Sequence, residues 1–340
     1  MRAYIGAATS GGEGSPATGV TIADVDGAAI TAVGVTADTV ENPMYLAASA
    51  DGRVLYAVHE VTHGQVSAWS VDGDALTPLG TPQATGGRGP CHLSVHPGGR
   101  HLLSADYGSG SVAVHPIDHD GSLRPATHVV RFAGTGPDTV RQEGPHAHMI
   151  VTDERTGHVL AIDLGTDSVH RYTFDTATGQ LAEVDTIRLP RGAGPRHLVV
   201  SGHRAFVVNE LDSTVSVIDL EAGEVESTVS TLPVGDTTAS HPSAIRLAPD
   251  HRFVYVANRG PDTVAVLAVH GPELRLVQTV STGGRSPRDL VLAPDGGSLY
   301  VANQFSDTVT TFRVDPLSGT LERVGTAAFR TPSPASILFA

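Results

Sequence analysis

Apolar residues in this chain gather in runs of strand length, rich in Val, Leu, Ile, Ala and Tyr, separated by Pro-Asp-Gly, Gly-Gly and Ser-Asp turns. No segment keeps a helical spacing, so the pattern predicts antiparallel hairpins. The unit recurs. A proline-led strand starts at Pro43, Pro90, Pro145, Pro195, Pro242 and Pro287, and a truncated copy starts at Pro334. The steps between these prolines are 47, 55, 50, 47, 45 and 47 residues. After each full copy comes a second apolar strand ending in Asn, Asp or His, as in Leu299-Tyr300-Val301-Ala302-Asn303, then a third and a weaker fourth. A strand-built period of this size predicts an all-β, seven-bladed propeller of four-stranded blades.

The ends of the chain complement each other. Ser333-Pro334-Ala335-Ser336-Ile337-Leu338 reads as a first strand without a successor, and Ala3-Tyr4-Ile5-Gly6-Ala7 as a second strand without a predecessor. Joined, they complete a seventh blade from residues 1–38 and 331–340, closing one domain over residues 1–340 and hiding two strand edges. Gly and Pro concentrate in residues 11–19, 86–90 and 134–144. The last stretch lies in the longest step and is expected to form a flap over one face.

Composition narrows the partners. The net charge of −14 argues against nucleic acid, which needs a basic face. No apolar run is long enough to span a membrane. All 22 positive residues are arginine, so lysine chemistry is excluded and any cationic contact is a planar guanidinium suited to carboxylate or phosphate. The single cysteine, Cys91, allows no internal disulfide, and the N-terminal residues read directly into a strand rather than a secretory leader. A cytoplasmic protein is expected, and a closed ring without free edges is expected to be a monomer.

Departures from the repeat are candidates for function. Just after the leading prolines the blades carry Met44, Cys91, His146, Arg196, Ser243, Arg288 and Ala335. One residue past the second strand they carry Glu60, Tyr107, Leu164, Glu210, Arg259, Gln304 and Ala8. The first strand of a propeller blade lines the channel, so both columns should converge on one mouth. Arginines facing carboxylates and a histidine describe an anion pocket with a resident acid or base. His146 and His148 form a His-x-His pair, with His92 and His197 as further donors, but no compact acidic partner motif accompanies them, and neither metal nor cofactor is called for. The recurring Asp106, Asp163, Asn209, Asn258 and Asn303 read as turn-holding groups within each blade.

These residues carry a resemblance. Tyr4-Ile5-Gly6, Asn42-Pro43, Val58-His59-Glu60, Pro90-Cys91-His92-Leu93-Ser94-Val95, Gly144-Pro145-His146-Ala147-His148, Gly194-Pro195-Arg196-His197-Leu198, Asn209-Glu210-Leu211, Asn258-Arg259-Gly260 and Pro287-Arg288 resemble the lactonase family of seven-bladed propellers. That family includes bacterial 6-phosphogluconolactonases and fungal carboxy-muconate lactonising enzymes. The resemblance implies a site at one channel mouth with His146, Arg196, Glu210 and one or both of Arg259 and Arg288, Arg259 first, as catalytic residues. Glu60, His92, His148, His197, Arg246, Arg288 and Gln304 are the expected substrate-binding wall. Three departures from the family pattern are His59 in place of Asn, Arg246 in place of His, and Ala7-Ala8-Thr9 in place of Thr-Tyr-Thr, each expected to reshape the pocket wall.

Three functions compete on this reading. The leading one is hydrolysis of a lactone bearing a carboxylate or phosphate, with arginines holding the anion and oxyanion and Glu210 or His146 moving the proton. The second is a cycloisomerase or lyase acting on an unsaturated carboxylate. The third is a non-catalytic ligand- or protein-binding propeller, since the Tyr-Val-Ala-Asn repeats also resemble surface-layer propellers.

Overall fold

A computed structural model describes residues 1–11, 14–37, 40–325 and 327–340. Among them are seven antiparallel sheets, each with four strands in sequence order from the inside out, save the seventh. There Pro334–Phe339 is the innermost strand, followed by Arg2–Ala7, Gly19–Asp26 and Ala29–Ala37. The ring therefore closes through both termini as the sequence requires. The boundary placed at residue 38, and part of the 11–19 loop, lie outside the described residues. Blades 1 and 6 each add a short fifth strand, Gln83–Ala84 and Phe329–Arg330, to their third strands.

Burial explains why the second strands read as nearly unbroken apolar runs. Val54–His59 and His101–Asp106 are buried at every position, because each sheet packs against a neighbour on both faces. Seven apolar clusters fill the seven gaps between blades; for example, Phe253, Tyr255 and Val266 of blade 5 meet Leu290, Val301 and Phe312 of blade 6. The outermost Glu224–Ser230 alternates half-buried and exposed positions, as a solvent-facing strand should. The repeated second-strand tyrosine also ties blade to blade: Tyr56, Tyr255 and Tyr300 donate to the carbonyls of Gly121, Gly319 and Gly27 in adjoining blades at 3.1, 3.0 and 2.7 Å.

The Asn, Asp or His that ends each second strand is a local brace, most often within its own blade. Asn209 donates to Thr214 and Ser216, Asn303 donates to Thr310, and Asp106 accepts from Ser111. Asp163 holds turn backbone as expected, accepting the His146 and Gly165 N–H groups at 2.6 and 2.9 Å, whereas the partners of the other three are mainly third-strand hydroxyls. His59 does the same work, with Nε2 2.7 Å from Ser67 Oγ and no exposure. It is part of the blade, not the pocket wall, so that departure leaves the site untouched.

In all seven blades the pairing of first and second strands slips immediately after the strand begins. Such a bulge frees a residue from the ladder and re-aims its side chain. The freed residues are Met44, Cys91, His148, Arg196, Arg288 and Ala335, with Ser243 and Ala244 together in blade 5. His146 does not belong in this column. In blade 3, Ala147 takes the proline's place opposite Asp163, as Pro195 stands opposite Asn209, and the strand starts two residues later than Pro145 suggests.

Candidate functional site

Glu210 follows the second strand of blade 4, and its N–H donates to the Gly194 carbonyl at 2.7 Å. That crossing holds Glu210 beside the start of the neighbouring strand, Pro195–Ser201. Gly194 has φ +61°, and a Cβ there would lie 2.4 Å from Leu211, so only glycine fits. The bulge then turns Arg196 inward toward Glu210.

Three guanidinium groups share this one carboxylate. Arg196 Nε lies 3.1 Å and Arg259 Nη2 2.8 Å from Glu210 Oε2, while Arg141 Nη2 lies 2.5 Å from Oε1. Glu210 and Arg196 side chains are each 4% exposed. Arg196 also donates Nη1 to the Ser243 carbonyl at 2.6 Å. Both Arg196 Nε and Arg259 Nη2 are thus drawn to the same oxygen, Oε2, leaving Oε1 to Arg141. Burial opposes ionisation of Glu210, but Arg259, Arg196 and Arg141 overcome it and hold the carboxyl well below the usual range. Burial, with Arg259 and Arg288 nearby, pushes Arg196 down to about 9, still protonated at neutral pH.

Elsewhere at the mouth Arg288 of blade 6 reaches past the terminal blade to Glu60 of blade 1, Nη2 to Oε2 at 3.1 Å. His146, ahead of its strand, stacks on Tyr107 at 4.4 Å and faces the Tyr107 carbonyl with Nδ1 at 2.9 Å. A carbonyl can only accept, so Nδ1 carries the proton. Nε2 lies 3.3 Å from Glu143 Oε2, a carboxylate that pairs with the imidazolium formed when this nitrogen takes up a proton. The Tyr107 hydroxyl is 3.2 Å from Arg141 Nη2, which links His146 to the Glu210 cluster.

Below the mouth the rings of Tyr45, His92, His197 and His148 succeed one another at 4.5, 5.4 and 5.3 Å. Burial keeps all three histidines neutral, His92 down to about 3. Burial likewise pushes the Cys91 thiol up; its sulfur sits 3.6 Å from His148 Nδ1 as a neutral packing group. Arg246 pairs with Asp289 at 2.8 Å and borders a separate cavity of about 510 Å³ lined by Val151, Leu198 and Leu247 toward the other end of the strands.

The structure thus brings Arg196, Glu210 and Arg259 into one cluster, with Arg288 and Glu60 as a second pair and His148 beneath. His92, His197 and Arg246 lie deeper in the channel than the mouth wall foreseen for them. Gln304 occupies its blade's equivalent of Glu210, buried and without a side-chain hydrogen bond to a described residue. Among the described residues no three His, Cys, Asp or Glu side chains are disposed to hold a metal. Arg141, Tyr107 and Glu143 went unselected. Tyr107 stood in a compared column, but Arg141 and Glu143 sit in the irregular connection between blades 2 and 3, where repeat comparison has no register. The signal was the length of that connection.

Comparison with known proteins agrees with the seven-bladed architecture. The profile of the family described as lactonase, 7-bladed beta-propeller matches residues 2–339. A 6-phosphogluconolactonase of Bacillus subtilis (strain 168) is 38% identical over 259 residues, covering 73% of each chain. The crystal structure of a putative 6-phosphogluconolactonase from Bacteroides fragilis superposes with a TM-score of 0.90 at 29% identity, covering 100% of this chain and 97% of that one. A periplasmic gluconolactonase of Pseudomonas aeruginosa gives a TM-score of 0.88 at 30% identity, covering 99% and 98%.

Proposed function

The chain belongs to the seven-bladed lactonase family, and from that premise we propose that it hydrolyses an anionic lactone of the 6-phosphogluconolactone kind at the Glu210 mouth. The observation that carries this reading is the convergence of Arg141, Arg196 and Arg259 on one buried carboxylate at the mouth. Fixed donors of this kind stabilise an oxyanion without having to reorganise during the reaction.

Water attacks the lactone carbonyl and gives its proton to His146 Nε2. The oxyanion of the tetrahedral intermediate faces Arg196 and Arg259. Collapse breaks the ring C–O bond, and the departing alkoxide takes the proton back, leaving a hydroxy acid. Glu210 is a poor base, because three arginines hold it ionised; its role is to fix them. The reading goes with a cytoplasmic monomer.

Acid release from 6-phosphogluconolactone, followed with an indicator dye, tests it. His146→Ala and Arg196→Ala should each lower turnover by about 10² or more while the far-ultraviolet spectrum stays that of the parent. Full activity in either variant removes that residue from the mechanism.

A further inference from the structure

Four guanidinium groups meet two carboxylates at the mouth: Arg141, Arg196 and Arg259 at Glu210, and Arg288 at Glu60. Each carboxylate cancels one charge, so the cluster keeps an excess of positive charge, and unmatched charge away from water is costly. The four are not equivalent. Arg196 lies innermost, whereas the Arg141 side chain is 33% exposed and stands at the rim.

Arg141 is also firmly presented. The next residue, Gln142, is fully buried and donates Nε2 to the Leu164 carbonyl at 2.8 Å and to Asp167 Oδ1 at 2.7 Å. Asp138 Oδ1 accepts the N–H groups of Val140 and Arg141, closing the turn. Beside it opens a cavity of about 400 Å³ bordered by Arg141, Arg259, Arg285, His241 and Phe305. Of the carboxylates there, Glu210 is already shared by arginines, and Asp262 accepts the Ser286 N–H at 2.8 Å. Glu143 turns to His146 instead.

We propose that Arg141 is a specificity-determining residue: from the rim it binds the charged group of the substrate that lies remote from the carbonyl, within this cavity and alongside Arg259. This rests on the lactonase reading. A guanidinium fork suits either a phosphate or a carboxylate there, and each hydrogen bond to such a group discriminates against its uncharged analogue.

Calorimetric titration of the parent, Arg141→Gln and Arg141→Lys with gluconate 6-phosphate, glucarate and gluconate is the test. The parent should bind the phosphorylated acid more tightly than gluconate. Arg141→Gln should shrink that ratio by roughly 10- to 100-fold, and Arg141→Lys should restore part of it. A matching shift with glucarate identifies a carboxylate as equally acceptable. Equal weakening of all three ligands in Arg141→Gln, or no preference in the parent, overturns the assignment. A parent that shows the ratio but hydrolyses no lactone refutes the functional reading and leaves Arg141 its role; hydrolysis with an unaltered ratio in Arg141→Gln does the reverse.

Discussion

Replacing Glu210 by Gln would leave Arg141, Arg196 and Arg259 without their shared counter-charge. Stranding buried charge in this way should cost about 3–5 kcal/mol, measurable by urea unfolding at neutral pH. The sign with pH follows from the depressed carboxyl: on acidification the unfolded chain takes up its proton first. Glu210's contribution is therefore complete above about pH 5 and drains as pH falls below the ordinary carboxylate range. The buried histidines act earlier and in the same direction. His92, His148 and His197 are held neutral when folded but protonate near pH 6.5 when unfolded, so stability should fall from about pH 6.5 downward. His92→Gln should make that fall shallower; an unchanged slope would mean that the ring is hydrated and titrates freely.

At the scale of the element, one device recurs: a bulge at the start of each innermost strand, which presents a side chain to the mouth. Sequence comparison finds this column wherever the leading proline and the bulge keep step, as at Arg196 and Arg288. It fails in blade 3, where Pro145 precedes the strand by two residues and lends its place to Ala147. His146 was thus chosen for a position that His148 occupies, though stacking on Tyr107 brings it to the mouth by another route. Arg141 was illegible for a related reason: its place is set by buried hydrogen bonds of an irregular connection, not by strand periodicity. Gln142→Ala removes three of them, including the Asp138 N–H to Oε1 bond, and should cost about 1–3 kcal/mol in thermal unfolding. Turnover should fall by roughly tenfold as Arg141 loses its aim. Destabilisation with unchanged kinetics would deny that connection a part in the site.

For the whole molecule, seven inter-blade clusters and a joint made from both termini put charged groups from four blades at a single opening. Repeat spacing and the two half-blades at the chain ends made the architecture readable, because strand period and edge pairing are local rules applied seven times. Which opening-facing groups touch one another was not readable, because those contacts cross the ring. Deleting residues 334–340 strips the innermost strand from Arg2–Ala7 and exposes its edge, so the truncated chain should lose its cooperative transition and self-associate in sedimentation. A monomeric truncation with an unaltered transition would show that closure contributes little. The most direct test of the arginine–Glu210 site as a lactone-hydrolysing centre is mass spectrometry of the product formed from 6-phosphogluconolactone in ¹⁸O-labelled water. One labelled oxygen should enter the carboxylate at a rate far above that of buffer, and Arg196→Ala should lose that excess by about 10² or more. Labelling no faster than in buffer, or an equal rate in the Arg196 variant, would contradict it.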